Sequence, residues 1–382
     1  MRGDDVPARE RPCEPRRFHR RLPGYAVTPL RHINQLAGEL GVALVWVKDE
    51  SQRLGLPAFK MLGASWATYL ALQRCRGREF EEWSTIDELR RQVGELGPLT
   101  LATATDGNHG RAVARMAALL GLGARIRVPA GTVEARVAAI AAEGAEVTLS
   151  DGGYDKAVAE VATWESPTTL VISDTSWEGY EDVPAWIIDG YSTIFAEVDE
   201  QLGAGGDSPP TVVVVPVGVG AFAASAVTWF GQPGAARVRI AMVEPVDAAC
   251  MLASACAGEV VTLPGEQHSI MAGLNCGTPS PVAWPRVSAG ADWFVTATDD
   301  DARAAMRSFA ACGVVAGESG AASLAGAVQL AAAGHLRADD RVLLVSTEGA
   351  TDPDAYVQIV GRSPEQVASA APDHPIPDHP IS

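Results

Sequence analysis

Leu99-Thr-Leu-Ala-Thr-Ala104 is a short apolar run, and the segment after it, His109 to Leu120, carries its apolar residues at helical spacing. The pairing repeats at once. Arg125-Ile-Arg-Val-Pro129 precedes Val133 to Glu143, Glu146-Val-Thr-Leu149 precedes Tyr154 to Trp164, and Thr169-Leu-Val-Ile-Ser173 closes the series. Short apolar runs separated by helical patterns of this size predict right-handed βαβ units and a parallel sheet. Toward the C-terminus, Gly203-Ala-Gly-Gly-Asp-Ser-Pro-Pro210 is the clearest linker. The rhythm then resumes, with strands expected at Thr211 to Val217, Val238 to Val243, Trp293 to Thr296 and Arg341 to Val345, and helices at Phe222 to Trp229, Asp299 to Ala311 and Ser319 to Ala332.

Toward the N-terminus, Ala43-Leu-Val-Trp-Val-Lys-Asp49 predicts a strand, Ser51 to Pro57 a loop, and Lys60 to Arg74 a helix with Lys60 near its start. Arg76 to Gly97 is more charged and reads as a surface excursion. The fold class is therefore α/β with two lobes. Residues 24–97 and 204–364 form the larger α/β domain and 98–203 the smaller. A polar, poorly ordered leader is expected over 1–23, and a Pro-rich tail, with Asp-His-Pro repeated, over 365–382.

A length of 382 residues with 47% hydrophobic and 20% charged side chains describes an enzyme-sized globular chain with room for a large core. The formal charge of -17 argues against binding to nucleic acid or an anionic membrane. The longest apolar run, Thr211 to Val217, is too short to span a bilayer, and Met1 to Pro23 has no apolar h-region, so a cytoplasmic protein is expected. The cysteines Cys13, Cys75, Cys250, Cys256, Cys276 and Cys312 lack metal-ligand spacing, so no metal site is expected, and reduced thiols are the default.

Lysine is scarce, present only as Lys48, Lys60 and Lys156. Lys60 lies among Phe59, Met61 and Leu62, where desolvation lowers an ammonium pKa and frees the amine as nucleophile or base, the chemistry of a Schiff-base lysine. The plain alternative is a lysine snorkelling at a helix start. Thr103-Ala-Thr-Asp-Gly-Asn-His-Gly110 joins a strand to a helix, a ready anion site in which Asp106 can move a proton and Asn108 can donate; an Asx-capped turn is the competing reading. Val215-Pro-Val-Gly-Val-Gly-Ala-Phe222 has the geometry of a phosphate cradle without the third glycine of a dinucleotide site, which leaves a nicotinamide cofactor a distant choice. Gly317-Glu-Ser-Gly320 and Ser346-Thr-Glu-Gly-Ala-Thr-Asp-Pro353 fall where the ligand crevice of such a sheet lies.

These features, in this order, resemble the fold-type II enzymes that use pyridoxal 5'-phosphate. Within that family Ser51-Gln-Arg-x-Gly-Leu-x-Ala-Phe-Lys60, Asp174-Thr-Ser-Trp-Glu-Gly-Tyr180, Met271-Ala-Gly-Leu-Asn-Cys-Gly277 and Ser346 to Pro353 are most similar to the diaminopropionate ammonia-lyases. The likeness runs from about Thr28 to about Gly361, and departs from the pattern at Leu54 and Ala64, where phenylalanine and glycine are expected. It implies a two-lobed, three-layer parallel-sheet fold, a homodimer, and α,β-elimination of D- and L-2,3-diaminopropionate to pyruvate and ammonia. It further implies that Lys60 carries the cofactor, that Gly218, Val219 and Gly220 bind its phosphate, and that Asn108 donates to its ring hydroxyl. By the same resemblance, Ser346, or Thr347 beside it, is expected to face the pyridine nitrogen, and the substrate carboxylate is expected on Thr105, Asp106, Gly107 and His109. The resemblance also implies that Lys60 and Asp106 are the bases for the L- and D-enantiomers and that Asp106 or Asp174 serves the leaving amine. Asp174 also reads as a turn acid, His109 as a packing residue, and Cys250 and Cys276 as buried free thiols, with a meeting of the two near the entrance as the alternative. Alternatives are a serine or threonine dehydratase or β-replacement enzyme of the same fold, and a non-catalytic cofactor-binding or regulatory protein.

Overall fold

The computed structural model describes residues 11–232 and 237–370. Among the described residues ten strands form two sheets: β1 (Leu30–His32), β2 (Leu44–Asp49), β3 (Thr100–Ala104), β4 (Gly123–Val128), β5 (Glu146–Leu149), β6 (Thr169–Val171), β7 (Val212–Pro216), β8 (Arg239–Pro245), β9 (Trp293–Ala297) and β10 (Arg341–Ser346). The first sheet runs in the order β1-β2-β10-β7-β8-β9, parallel except for the edge strand β1. The second is all parallel, in the order β5-β4-β3-β6.

Strand β7 shows why the first sheet needs a layer on each side. Its Val213 and Val215 belong to one apolar core, shared with the helices Met61–Arg76, Asp182–Gly205 and Ala221–Phe230, while Val212 and Val214 belong to a second core under Asp299–Ala311 and Glu318–Ala332. Alternation along one strand thus feeds two cores, so both sheet faces are covered, as parallel strands require. All four strands of the second sheet fall within residues 98–203, whereas the helix Asp182–Gly205 at the end of that range packs on Met61–Arg76 and Ala221–Phe230.

Two expectations change. Residues 11–23 of the expected leader hold a helix, Glu14–His19, whose Phe18 and His19 are buried; both His19 ring nitrogens are bonded, Nδ1 to the Thr193 hydroxyl at 2.8 Å and Nε2 to the Leu62 carbonyl at 2.9 Å. Residues 1–10 lie outside the described residues, as does the tail beyond Ala370. The stretch 76–97 is no mere surface excursion either: Phe80, Trp83, Leu89 and Val93 enter the first core, and the helix Ile86–Gly94 starts with a capping box between Thr85 and Glu88. Among the described residues no helix is long and apolar enough to cross a membrane.

Candidate active site

The carboxyl ends of β3 and β6 in one sheet and of β7 and β10 in the other converge on one cleft, where the crevice of a parallel sheet takes its ligands. Beyond β2 the chain turns through Leu54, whose φ of 53° lies in the left-handed region that a leucine seldom adopts. It is then pinned to the end of β10, with Phe59 N–H donating to the Thr347 carbonyl at 3.2 Å and Gly349 N–H to the Pro57 carbonyl at 2.9 Å. Lys60 follows as the N-cap of Met61–Arg76 and projects into the cleft.

Lys60 Nζ donates to Asp174 Oδ2 at 2.7 Å, and Tyr154 Oη donates to Asp174 Oδ1 at 3.0 Å. This corrects the expectation of a depressed lysine. Burial does oppose the ammonium, but the adjoining Asp174 carboxylate outweighs it and raises Lys60 above its ordinary value. Reciprocally, burial alone would push Asp174 up, and the Lys60 charge together with the Tyr154 bond holds it well below the usual carboxylate range. Asp106, half-buried in the same cleft, goes the other way: burial pushes it up to about 6, against the pull of Arg136 and Lys60. Two carboxyls within one site are therefore driven apart, Asp106 toward its neutral form and Asp174 toward its charged one.

The loop after β3 is shaped by Thr105, whose hydroxyl accepts from Gly107 N–H and Gly110 N–H, both at 3.0 Å. Those two amides are therefore spent within the loop. Gly107 needs its φ of 155°, and a Cβ on Gly110 would lie 2.2 Å from Thr105 Cγ2, so neither position accepts a side chain without rebuilding the loop. His109 lies beneath, with Nε2 donating to the Ile172 carbonyl at 2.7 Å and Nδ1 unpartnered; burial lowers its pKa and keeps it neutral. Asn108 faces the cleft, and its Nδ2 donates to Glu348, whose other oxygen accepts from Ser319 N–H at 3.0 Å.

The remaining loops fit a phosphorylated pyridine. Gly218, Val219 and Gly220 line the cleft and open the helix Ala221–Phe230, which no side chain caps. A Cβ on Gly218 would meet Cys276 Sγ at 3.0 Å, and Gly220, at φ 100°, would drive one into Met251 Cε at 2.6 Å, so the turn stays bare backbone. At the end of β10 the Ser346 hydroxyl is buried with no hydrogen-bond partner, an orphan suited to a neutral ring nitrogen. Thr347 lines the cleft beside it. Cys250 and Cys276 are buried free thiols, close enough for Cys250 to raise the Cys276 pKa further after burial has done so. Tyr154 and Glu348 were not singled out by sequence reasoning; Glu348 stood inside a quoted motif, while nothing local marks Tyr154.

The family model described as pyridoxal-phosphate dependent enzyme matches residues 21–348. The chain is 38% identical over 378 residues to the diaminopropionate ammonia-lyase of Salmonella typhimurium, covering 91% of each, and 37% identical over 379 residues to that of Escherichia coli K12, covering 92% of each. The Escherichia coli enzyme solved with D-serine superposes with a TM-score of 0.84 at 35% identity, covering 92% of both chains. The same enzyme with an aminoacrylate-PLP azomethine reaction intermediate gives 0.81 at 35% identity, covering 91% of this chain and 90% of that one. A bare glycine turn, an orphan serine and a buried lysine meet at the strand ends of a chain that these matches span almost entirely, and the chain belongs to the pyridoxal-phosphate dependent enzymes, in the diaminopropionate ammonia-lyase family.

Proposed function

We propose that this enzyme eliminates ammonia from both enantiomers of 2,3-diaminopropionate, giving pyruvate and a second ammonia after hydrolysis. The observation that carries the reading is the opposed pair of carboxyls around Lys60, Asp174 held as an anion and Asp106 raised to about 6. Pyridoxal phosphate, when bound, supplies the electron sink that makes the substrate α-proton acidic. The chain supplies the rest. The amides of Asp106, Asn108 and His109, in a loop whose shape Thr105 and Gly107 set, take the substrate carboxylate. The Lys60 amine removes the α-proton of the L-enantiomer, and Asp106, on the opposite face, that of the D-enantiomer. The leaving β-amine needs a proton; Asp106 supplies it while Asp174 orients the ammonium by charge.

Gly218, Val219 and Gly220 would hold the cofactor phosphate through backbone N–H groups, Asn108 would donate to the ring hydroxyl, and Ser346, with Thr347 next to it, would meet the ring nitrogen. A neutral hydroxyl at that nitrogen suits elimination over transamination. Residues 24–97 and 204–364 act as the large domain and 98–203 as the small one, in a cytoplasmic homodimer; light scattering coupled to size exclusion tests the dimer. Stoichiometry tests the reaction: two ammonia per pyruvate are expected from diaminopropionate, and a one-to-one ratio would refute loss of the β-amine.

A further inference from the structure

Beneath the cleft floor, two glycines let helices Met61–Arg76 and Asp182–Gly205 touch one turn beyond Lys60. A Cβ on Gly190 would lie 2.7 Å from the Leu62 carbonyl oxygen, and one on Gly63 would lie 2.6 Å from Tyr191 Cε1. This close approach seats the Tyr191 ring against Phe59, with centroids 4.7 Å apart, and edge-on to Phe222 at 5.9 Å. The ring is fully buried in that apolar cage, and its hydroxyl has no hydrogen-bonding group to meet other than Lys60. A phenylalanine would fill the cage as well and would leave no buried hydroxyl unsatisfied. Lys60 shares this neighbourhood: its Nζ lies 5.5 Å from the centroid of the same Phe59 ring that Tyr191 packs on, and its ammonium is turned toward Asp174.

We infer that Tyr191 is a positioning residue for the Lys60 amine, holding its neutral form in line for proton transfer on one face of the substrate. The argument rests on what each neighbour of Lys60 can do. A carboxylate only accepts, so Asp174 favours the charged ammonium, which cannot take a proton. A phenol oxygen accepts without carrying the charge that holds a proton on nitrogen, so Tyr191 takes an N–H of Lys60 in either form and leaves the lone pair of the neutral amine free for the α-proton. Asp174 also has Tyr154 as a second donor, whereas the Tyr191 hydroxyl has nothing else to bond. This inference builds on the proposed two-base elimination, in which Lys60 serves the L-enantiomer and Asp106 the D-enantiomer.

The test is Tyr191→Phe in the holoenzyme, with D- and L-2,3-diaminopropionate turnover measured beside a pH titration of the visible absorbance of the cofactor carried on Lys60. Losing one hydrogen bond to the reacting amine is expected to slow the L-enantiomer about tenfold, leave the D-enantiomer within about twofold and move the absorbance midpoint. Any other combination overturns the inference; equal losses on both enantiomers would mark a merely structural role. If the parent enzyme turns over neither enantiomer, the elimination reading has failed on its own, and the titration alone then decides whether Tyr191 acts on Lys60: a moved midpoint supports it, an unmoved one overturns it.

Discussion

Replacing Glu197 by glutamine would strand a positive charge in the interior. Glu197, Glu50, Lys48 and Arg53 have side chains with no solvent exposure and sum to zero formal charge. Glu197 accepts from Lys48 Nζ at 2.8 Å, from two Arg53 nitrogens at 2.7 Å each and from Tyr25 Oη at 2.8 Å, while Arg53 forks onto Glu50 with two further bonds of 2.7 Å. A buried, fully bonded set of this kind adds little net stability, but breaking it leaves an uncompensated charge at a cost of about 3–5 kcal/mol. Against a total stability on the order of 5–15 kcal/mol, that is a large fraction. Urea unfolding of Glu197→Gln should show the loss as a lowered midpoint at unchanged slope. Adding Lys48→Met restores neutrality, with Arg53 still paired to Glu50, so the double variant should be more stable than Glu197→Gln alone. A loss in the single variant under about 1 kcal/mol, or simple additivity in the double, would refute the claim that charge balance holds this core.

The Asp106 carboxyl, raised to about 6 by burial, gives two signatures. As the base for the D-enantiomer it must be ionised, so D-turnover should climb as pH rises through about 6, and Asp106→Asn should abolish D-turnover while only slowing the L-enantiomer, which keeps Lys60 as its base but loses the proton donor to the β-amine. Between 3.8 and about 6 the folded protein holds a proton that the unfolded chain has lost, so this group's stability contribution falls as pH rises; the thermal midpoint of Asp106→Asn should gain on the parent from pH 4 to pH 8. Ser346→Ala removes a hydroxyl with no partner in the cofactor-free protein, so it should leave apoprotein stability unchanged or higher. The same change should weaken cofactor affinity about fivefold to tenfold in an equilibrium titration.

The βαβ rhythm from Leu99 to Ser173 was legible because each strand and helix carries its own period, and β3 to β6 fall on those runs. The helix Asp182–Gly205, the longest in the chain, was not: it begins Asp-Val-Pro, carries Gly190, and buries residues nearly all round, so no amphipathic stripe marks it. The strand-end loops were legible from glycines and hydroxyls, whose spacing is local. What lay hidden depends on distant partners. The raised pKa of Lys60 comes from Asp174, and the buried faces of Phe18 and Trp83 come from the aromatic cluster they share with Trp66 and Tyr69. Flanking residues predicted desolvation of Lys60 correctly, but the sign of its shift belongs to a neighbour that only the fold brings to 2.7 Å.

The most direct measurement is pyruvate release by the cofactor-loaded enzyme from D- and L-2,3-diaminopropionate beside D- and L-serine and L-threonine, scoring 2-oxobutyrate for the last. Pyruvate from both diaminopropionate enantiomers, faster than from serine, is the predicted result. Turnover of L-serine or L-threonine with none of either diaminopropionate enantiomer would contradict it and make the protein a dehydratase.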